Sequence, residues 1–330
     1  MTITQQAVGA REPTVGPEAP VTIREAYPSF EGSNIGAWMG FKHFMYLMEE
    51  AVVQHVRERW MGPCALYEQH GLGLEIVDSS IRILTALRLD QLTRVEVRPR
   101  GGRDEYEVGT ALTALNGNEW IPVAAGTARV VFRDSAAQAA GAPADLLPYV
   151  RPQIDRDARA PMPPRPAGEG RGRAGLAQDA VRPPGAEADS FVWRWRIPYF
   201  YCHFMDRLQH SGYLRLMEEV VDLYLQSRGL SIRTLLEGRS WIPVVVKAGL
   251  EILREARLEE EIHTVFTVRG VYKELLYSAT VDCYVARGAE WVQTARGHIV
   301  HGYAHIPRRG VMKLVPLDAP VLAALAAERP

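Results

Sequence analysis

The feature that most constrains this chain is that it is written twice. Leu47, Met48, Glu49 and Glu50 return as Leu216, Met217, Glu218 and Glu219, 169 positions on, inside the segments MYLMEEA and LRLMEEV. The same spacing carries Leu84, Arg88, Leu89 and Asp90 onto Leu253, Arg257, Leu258 and Glu259. Late in each copy the match resumes with two extra residues, Glu119-Trp120 against Glu290-Trp291 and Gly126 against Gly297, a slip that a short hairpin insertion explains. One domain, duplicated, is therefore expected twice over.

Each copy has the same order of patterns. Thr22 to Tyr27 and Phe30 read as extended, and Met39 to Trp60 places Phe41, Phe44, Met45, Met48, Val52 and Val56 at helical spacing until Gly62-Pro63. Four strand-like stretches follow near 73–84, 89–98, 105–115 and 119–133, with Gly101-Gly102 and Asn116-Gly117 at expected hairpin turns. The second copy repeats this with a strand over 191–198, a helix over 213–228 closed by Gly229, and strands over 241–253, 258–269, 274–285 and 291–303. The expected organisation is a loose tail (1–20), a first domain (21–134), a flexible linker (135–189), a second domain (190–306) and a C-terminal tail (307–330) with a weak amphipathic helix over 319–327. The linker expectation rests on the crowding of Pro, Gly, Ala and Arg, a composition that buries too little apolar area to offset ordering entropy.

At 330 residues with 47% hydrophobic content, each copy can build its own core. A net charge of −1 gives no basic face for phosphates, so a nucleic-acid partner is not expected. Cys64, Cys202 and Cys283 have no CxxC spacing, which argues against a disulfide framework or a zinc site. The N-terminus lacks a secretory pattern, and no run has the length of a membrane span. These readings lead to the expectation of a cytoplasmic protein without metal or cofactor, and no dinucleotide, P-loop or GxSxG fingerprint stands between a strand and a helix.

A long apolar helix followed by an antiparallel sheet resembles the hotdog fold. Residues 190–305, with AGLEILREARLEEEI (Ala248 to Ile262), resemble the acyl-CoA thioesterase family typified by 4-hydroxybenzoyl-CoA thioesterase. The segment FEGSNIGAWMGFKHFMYL (Phe30 to Leu47) is similar to the FE-x-T-N-L-x-G segment of thioesterases that release enediyne polyketides. The resemblance implies an α+β tandem hotdog, each half a central helix wrapped by an antiparallel sheet. The two halves would form an internal pseudo-dimer with two non-equivalent acyl-thioester sites at the seam, and further homo-oligomerisation stays open.

The same resemblance directs attention to the helix entrances. Its catalytic Asp falls ten residues before the aromatic that opens the helix, where this chain has Asn34 and His203. The enediyne-type enzymes that this segment resembles also carry an Asn at the position of Asn34. His203 to Leu216 is further similar to the H-F-x-G segment of hydroxyacyl-carrier dehydratases, which implies a crossed pair of His203 with Glu49 or Glu50. Helical geometry turns successive residues about 100° apart, so only one member of each Glu pair can face a site; the thioesterase spacing picks Glu49 and Glu218 over Glu50 and Glu219. Asp206 and His210 stand four apart, close enough for one to orient the other, and Tyr201 belongs to an aromatic group suited to an acyl tunnel. His43 reads as a helix-surface residue, and strand alternation sends His298 and His301 to opposite faces. The expected activity is hydrolysis of an acyl-CoA or acyl-carrier-protein thioester. The alternatives are a hydroxyacyl-thioester dehydratase or isomerase using His203 and a cross-domain Glu, and a non-catalytic hotdog that binds an acyl group or its carrier.

Overall fold

The computed structural model describes residues 20–134, 141–156, 182–202 and 205–326. The first copy holds β1 (Thr22–Ala26), α1 (Phe41–Arg59), α2 (Pro63–His70), β2 (Leu72–Ile83), β3 (Thr93–Gly101), β4 (Tyr106–Asn116) and β5 (Glu119–Asp134). A short β6 (Val150–Arg151) precedes the second copy: β7 (Phe191–Arg196), α3 (His210–Ser227), α4 (Ile232–Arg239), β8 (Trp241–Ile252), β9 (Glu261–Tyr272), β10 (Leu276–Arg287) and β11 (Glu290–Arg308). β12 (Val311–Val315) and α5 (Ala319–Leu325) close the chain.

The strands make one sheet in the order β1-β3-β4-β5-β2-β8-β11-β10-β9-β7, with β6 added to β5 and β12 to β11. The halves join where β2 and β8 run antiparallel, Asp78–Arg82 against Lys247–Glu251. Ser80 pairs with Gly249 there, and these residues are themselves 169 apart, so the pseudo-twofold axis passes between them. α1 and α3 each lie against their own half-sheet and touch one another across the seam.

The repeated letters have a packing reason. Met48 of α1 lies over Gly126 of β5, where an added Cβ would stand 2.7 Å from the Met48 methyl and 2.1 Å from the Ser80 carbonyl oxygen. In the second copy Met217 of α3 lies over Gly297 of β11, with the same hypothetical Cβ 3.0 Å from its sulfur. A bare backbone in the sheet lets the helix approach, and the methionine fills the space. Phe44, Met45, Val52 and Val56 complete the buried face of α1, as Tyr213, Leu214, Val220 and Leu225 do for α3.

Four sequence expectations change. Phe30 belongs to a one-turn 3-10 segment rather than a strand. Gly62-Pro63 ends α1 but also starts α2, since Pro suits the first helical turn. The tail after residue 306 is packed: β12 extends the sheet, and Asp318 caps α5, whose Val321 and Leu325 are buried. Within the expected flexible tract 135–189, residues 141–156 are also packed. Leu146 and Ile154 are buried, and Arg156 pairs with Glu105 and Asp78. Composition averaged over the tract concealed these anchors. Much of the rest of it, apart from 182–189, lies outside the described residues.

Candidate active site

Two entrances lie along the seam, one at the N-terminus of each long helix and each beside the middle of the other helix. At the first, Asn34 is fixed by a tight turn in which its N–H donates to the Trp38 carbonyl (2.6 Å), with Gly36 and Ala37 at positive φ. The Asn34 amide lies against Gly40, the N-cap of α1, where a Cβ would come within 3.1 Å of its side-chain oxygen. No side chain caps α1; the His43 N–H turns back to the Gly40 carbonyl (3.0 Å), and the preceding N–H groups of Phe41 and Lys42 are the candidates to meet an anion or a developing oxyanion.

The second half supplies the opposing wall. Glu218, on α3, accepts from the Lys42 ammonium of α1. One turn further along, burial together with the Glu218 and Glu219 charges raises Asp222 from 3.8 to about 7. Asn34, Lys42, Glu218 and Asp222 all line a cavity of about 490 Å³, whose other walls are largely apolar: Trp38, Phe41, Val221, Ile242, Val244, Ile299 and Leu314 among them. Polar groups from both copies thus stand along the wall of a slot able to take a hydrocarbon chain.

The second entrance is built differently. His210, the first residue of α3, places its Nε2 2.7 Å from Ser79 Oγ and its Nδ1 2.6 Å from Glu49 Oε2. Ser79 and His210 are buried. Beside this chain Glu255 accepts from Arg133 (2.7 Å), Arg207 (3.2 Å) and the Ile154 N–H (3.2 Å), while Glu75 stands 3.7 Å from Arg207. Burial pushes Glu255 upward, but the hydrogen bond and charge of Arg133, the charge of Arg207 and the Ile154 N–H outweigh it and hold the carboxyl below its ordinary range. Glu75, by contrast, is raised by burial to about 7.

Comparing the entrances position by position explains why one is open. Arg207, His210 and Glu255 of the second copy correspond to Trp38, Phe41 and Ala86 of the first; Glu75 and Arg133 of the first correspond to Val244 and Ala304 of the second. All five apolar members line the cavity. The five polar members fill the opposite entrance with hydrogen-bonded charges and a buried imidazole.

The candidate residues divide accordingly. Asn34 and Glu218 meet at the open cavity; Glu49 and His210 meet at the filled entrance. Glu50 is exposed, 4.0 Å from Arg24, and Glu219 is exposed as well, so both face solvent instead of a substrate. Asp206 is exposed and precedes α3, and His210 takes Glu49 and Ser79 as partners in its place. Tyr201 is half-buried beside Trp195 and under Arg215, away from the cavity lining. His203 lies outside the described residues. His43 is buried, not on the helix surface, and burial with the neighbouring Lys42 charge lowers it to about 4. Lys42, Asp222, Ser79 and the Glu255 cluster were not singled out from sequence; an Asp four residues after Glu218 on one helical face is the signal by which Asp222 could have been found. Among the described residues no group of three or more His, Cys, Asp or Glu is placed to hold a metal ion, and no helix is long and apolar enough to cross a membrane.

No family model and no curated protein matches this sequence. Solved structures do match. A protein assigned as an oleoyl thioesterase from Lactobacillus plantarum aligns with 88% of this chain and 98% of its own at 12% identity, with a TM-score of 0.57. An acyl-ACP thioesterase from Bacteroides thetaiotaomicron aligns over 85% and 97% at 10% identity (TM-score 0.55), and the 12:0-ACP thioesterase from Umbellularia californica over 85% and 93% at 11% (TM-score 0.54). The chain has the double hotdog fold of these thioesterases.

Proposed function

We propose that this protein hydrolyses an acyl thioester, acyl-CoA or acyl-carrier-protein, at the open entrance of its seam. The observation that carries the reading is the cavity itself, an apolar slot along which Asn34 and Lys42 of one half and Glu218 and Asp222 of the other are placed. The fold likeness to acyl-ACP thioesterases agrees with it.

In this reading the acyl chain enters the apolar slot and the thioester carbonyl lies at the first turn of α1. Glu218 takes a proton from a water that Asn34 helps to position, and the resulting hydroxide adds to the carbonyl carbon. The oxyanion is met by free backbone N–H groups of α1, oriented before reaction and shielded from bulk water. Asp222 keeps its proton up to about pH 7, so the negative charge stays on Glu218, where Lys42 holds it. Collapse expels the thiolate, and an acid and a thiol leave.

Incubation with acyl-pantetheine thioesters and detection of free thiol tests this. Glu218→Gln should lower kcat by about 100-fold or more; an unaltered rate, or no thiol from any acyl chain, removes the proposal. The crossed His210–Glu49 pair favours a second reading, dehydration of a hydroxyacyl thioester at the other entrance. That reading requires loss of water with the thioester intact, and the charged cluster filling the entrance opposes it.

A further inference from the structure

Two residues of the cavity wall carry a buried polar atom that an apolar acyl chain would leave unsatisfied, the Trp38 indole N–H, which can only donate, and the His301 imidazole. His301, on β11, lines the slot, yet it is only 3% exposed and its Nδ1 is buried with no hydrogen-bond partner. Burial lowers it to about 3, so the ring is a neutral imidazole with one donor and one acceptor. The rings of Tyr277 and Tyr303 pack around it, with centroids 5.1 and 5.5 Å away. Asp222, one helical turn beyond Glu218, lines the same slot as His301.

The first copy shows what such a place looks like when nothing has to be recognised. Val130 stands where the second copy has His301, and Tyr106 where it has Tyr277. Tyr106 Oη is 2.7 Å from His55 Nε2, and His55 Nδ1 is 2.9 Å from Thr22 Oγ1. Tyr106, His55 and Thr22 are thus paired with one another, and only the indole N–H of Trp60, packed on Tyr106, is left without a partner among these groups. In the second copy the duplicated position acquired an imidazole facing the slot, and no protein group completes it.

From this contrast we infer that His301 selects an acyl group bearing an oxygen, hydroxyl or ketone, in the part of the chain distal to the thioester. The inference rests on the acyl-thioester reading of the same cavity and names its substrate class. A plain hydrocarbon chain would leave the His301 ring without a ligand partner; a hydroxyl or ketone oxygen can supply one, since a neutral imidazole both donates and accepts. A site built to hydrogen-bond one group rejects the analogue that lacks it far more strongly than an apolar pocket rejects an extra methylene.

The test uses the full chain and two matched sets of pantetheine compounds, with and without a hydroxyl stepped along the acyl chain. One set is thioesters for turnover; the other is non-hydrolysable thioethers for calorimetric binding. One hydroxyl position should improve both kcat/KM and Kd by about ten-fold or more over the plain chain. His301→Leu should erase or reverse that preference while accepting plain chains at least as well. Plain and hydroxylated thioethers binding alike would overturn the inference, and would mean that trapped water completes the ring. An oxygenated thioether that binds preferentially while no thioester is cleaved would sustain the inference and remove hydrolysis instead. The wild-type comparison alone decides the matter if His301→Leu fails to fold.

Discussion

Replacing Asp222 by Asn isolates the cost of burying a carboxyl beside another carboxylate. In the unfolded chain this group ionises near 3.8, whereas in the fold burial and the Glu218 and Glu219 charges hold its proton to about 7. Between those values the folded protein binds more protons than the unfolded one, so stability is lost as pH rises and the loss is complete above pH 7. The limiting cost is about 4 kcal/mol. Asp222 is partly solvated and Lys42 lies close, so about 2 kcal/mol is the working expectation. Asn keeps the shape without the charge. Urea unfolding followed by tryptophan fluorescence should show wild type and Asp222→Asn nearly equal at pH 4, with the variant more stable by about 2 kcal/mol at pH 8.5. Adding Glu218→Gln should shrink that difference, because the neighbouring charge that raises Asp222 is gone. A wild-type-to-variant difference that stays flat from pH 4 to 8.5 would refute the reasoning.

Gly126→Ala should destabilise the first half by about 1–3 kcal/mol, because the new methyl meets the Ser80 carbonyl oxygen, while Gly297→Ala should cost less, since its nearest neighbours are side chains, the flexible Met217 at 3.0 Å and Val281 Cβ at 3.4 Å; urea midpoints compare them. Glu255→Gln should cost about 3–5 kcal/mol in thermal or urea unfolding, because Arg133 and Arg207 lose their shared carboxylate in a buried site. Ser79→Ala leaves His210 Nε2 without its partner and should cost about 1–3 kcal/mol while thiol release changes less than about three-fold. Combined with Glu49→Gln, its effect should be non-additive, as expected for two ends of one hydrogen-bonded chain.

How much could be read beforehand differs by level. The helices at 39–60 and 213–228 and the four strands of each copy follow from residue periodicity, and all appear within a few positions of their expected ends. Helical geometry also required that only one Glu of each pair face the seam, and the spacing taken from the resemblance picked Glu49 and Glu218, which do, over Glu50 and Glu219, which face water. The spacing-based assignments did less well. Asp206 was matched to His210 by a four-residue interval that presupposes a helix, but α3 starts only at His210, so the interval carries no contact. The composition of 135–189 hid Leu146 and Ile154, whose partners lie far along the chain. Nothing in the local sequence marks Ser79 as a partner of His210, 131 residues away.

The duplicated pattern determined by itself that each half would build the same helix on the same kind of sheet, and Met48 over Gly126 and Met217 over Gly297 keep one helix-to-strand register in both copies; that the halves would pair was implied by the resemblance, and the tertiary structure joins them through β2 and β8. Which of the two entrances opens was decided only in three dimensions. Trp38, Phe41, Ala86, Val244 and Ala304 come from separate segments of both halves, and so do Arg207, His210, Glu255, Glu75 and Arg133. Each substitution between the copies is unremarkable where it stands in the chain. Folding about the axis at Ser80 and Gly249 gathers the apolar members around a cavity and the charged members into a plug, since desolvated charges persist only where they meet their partners.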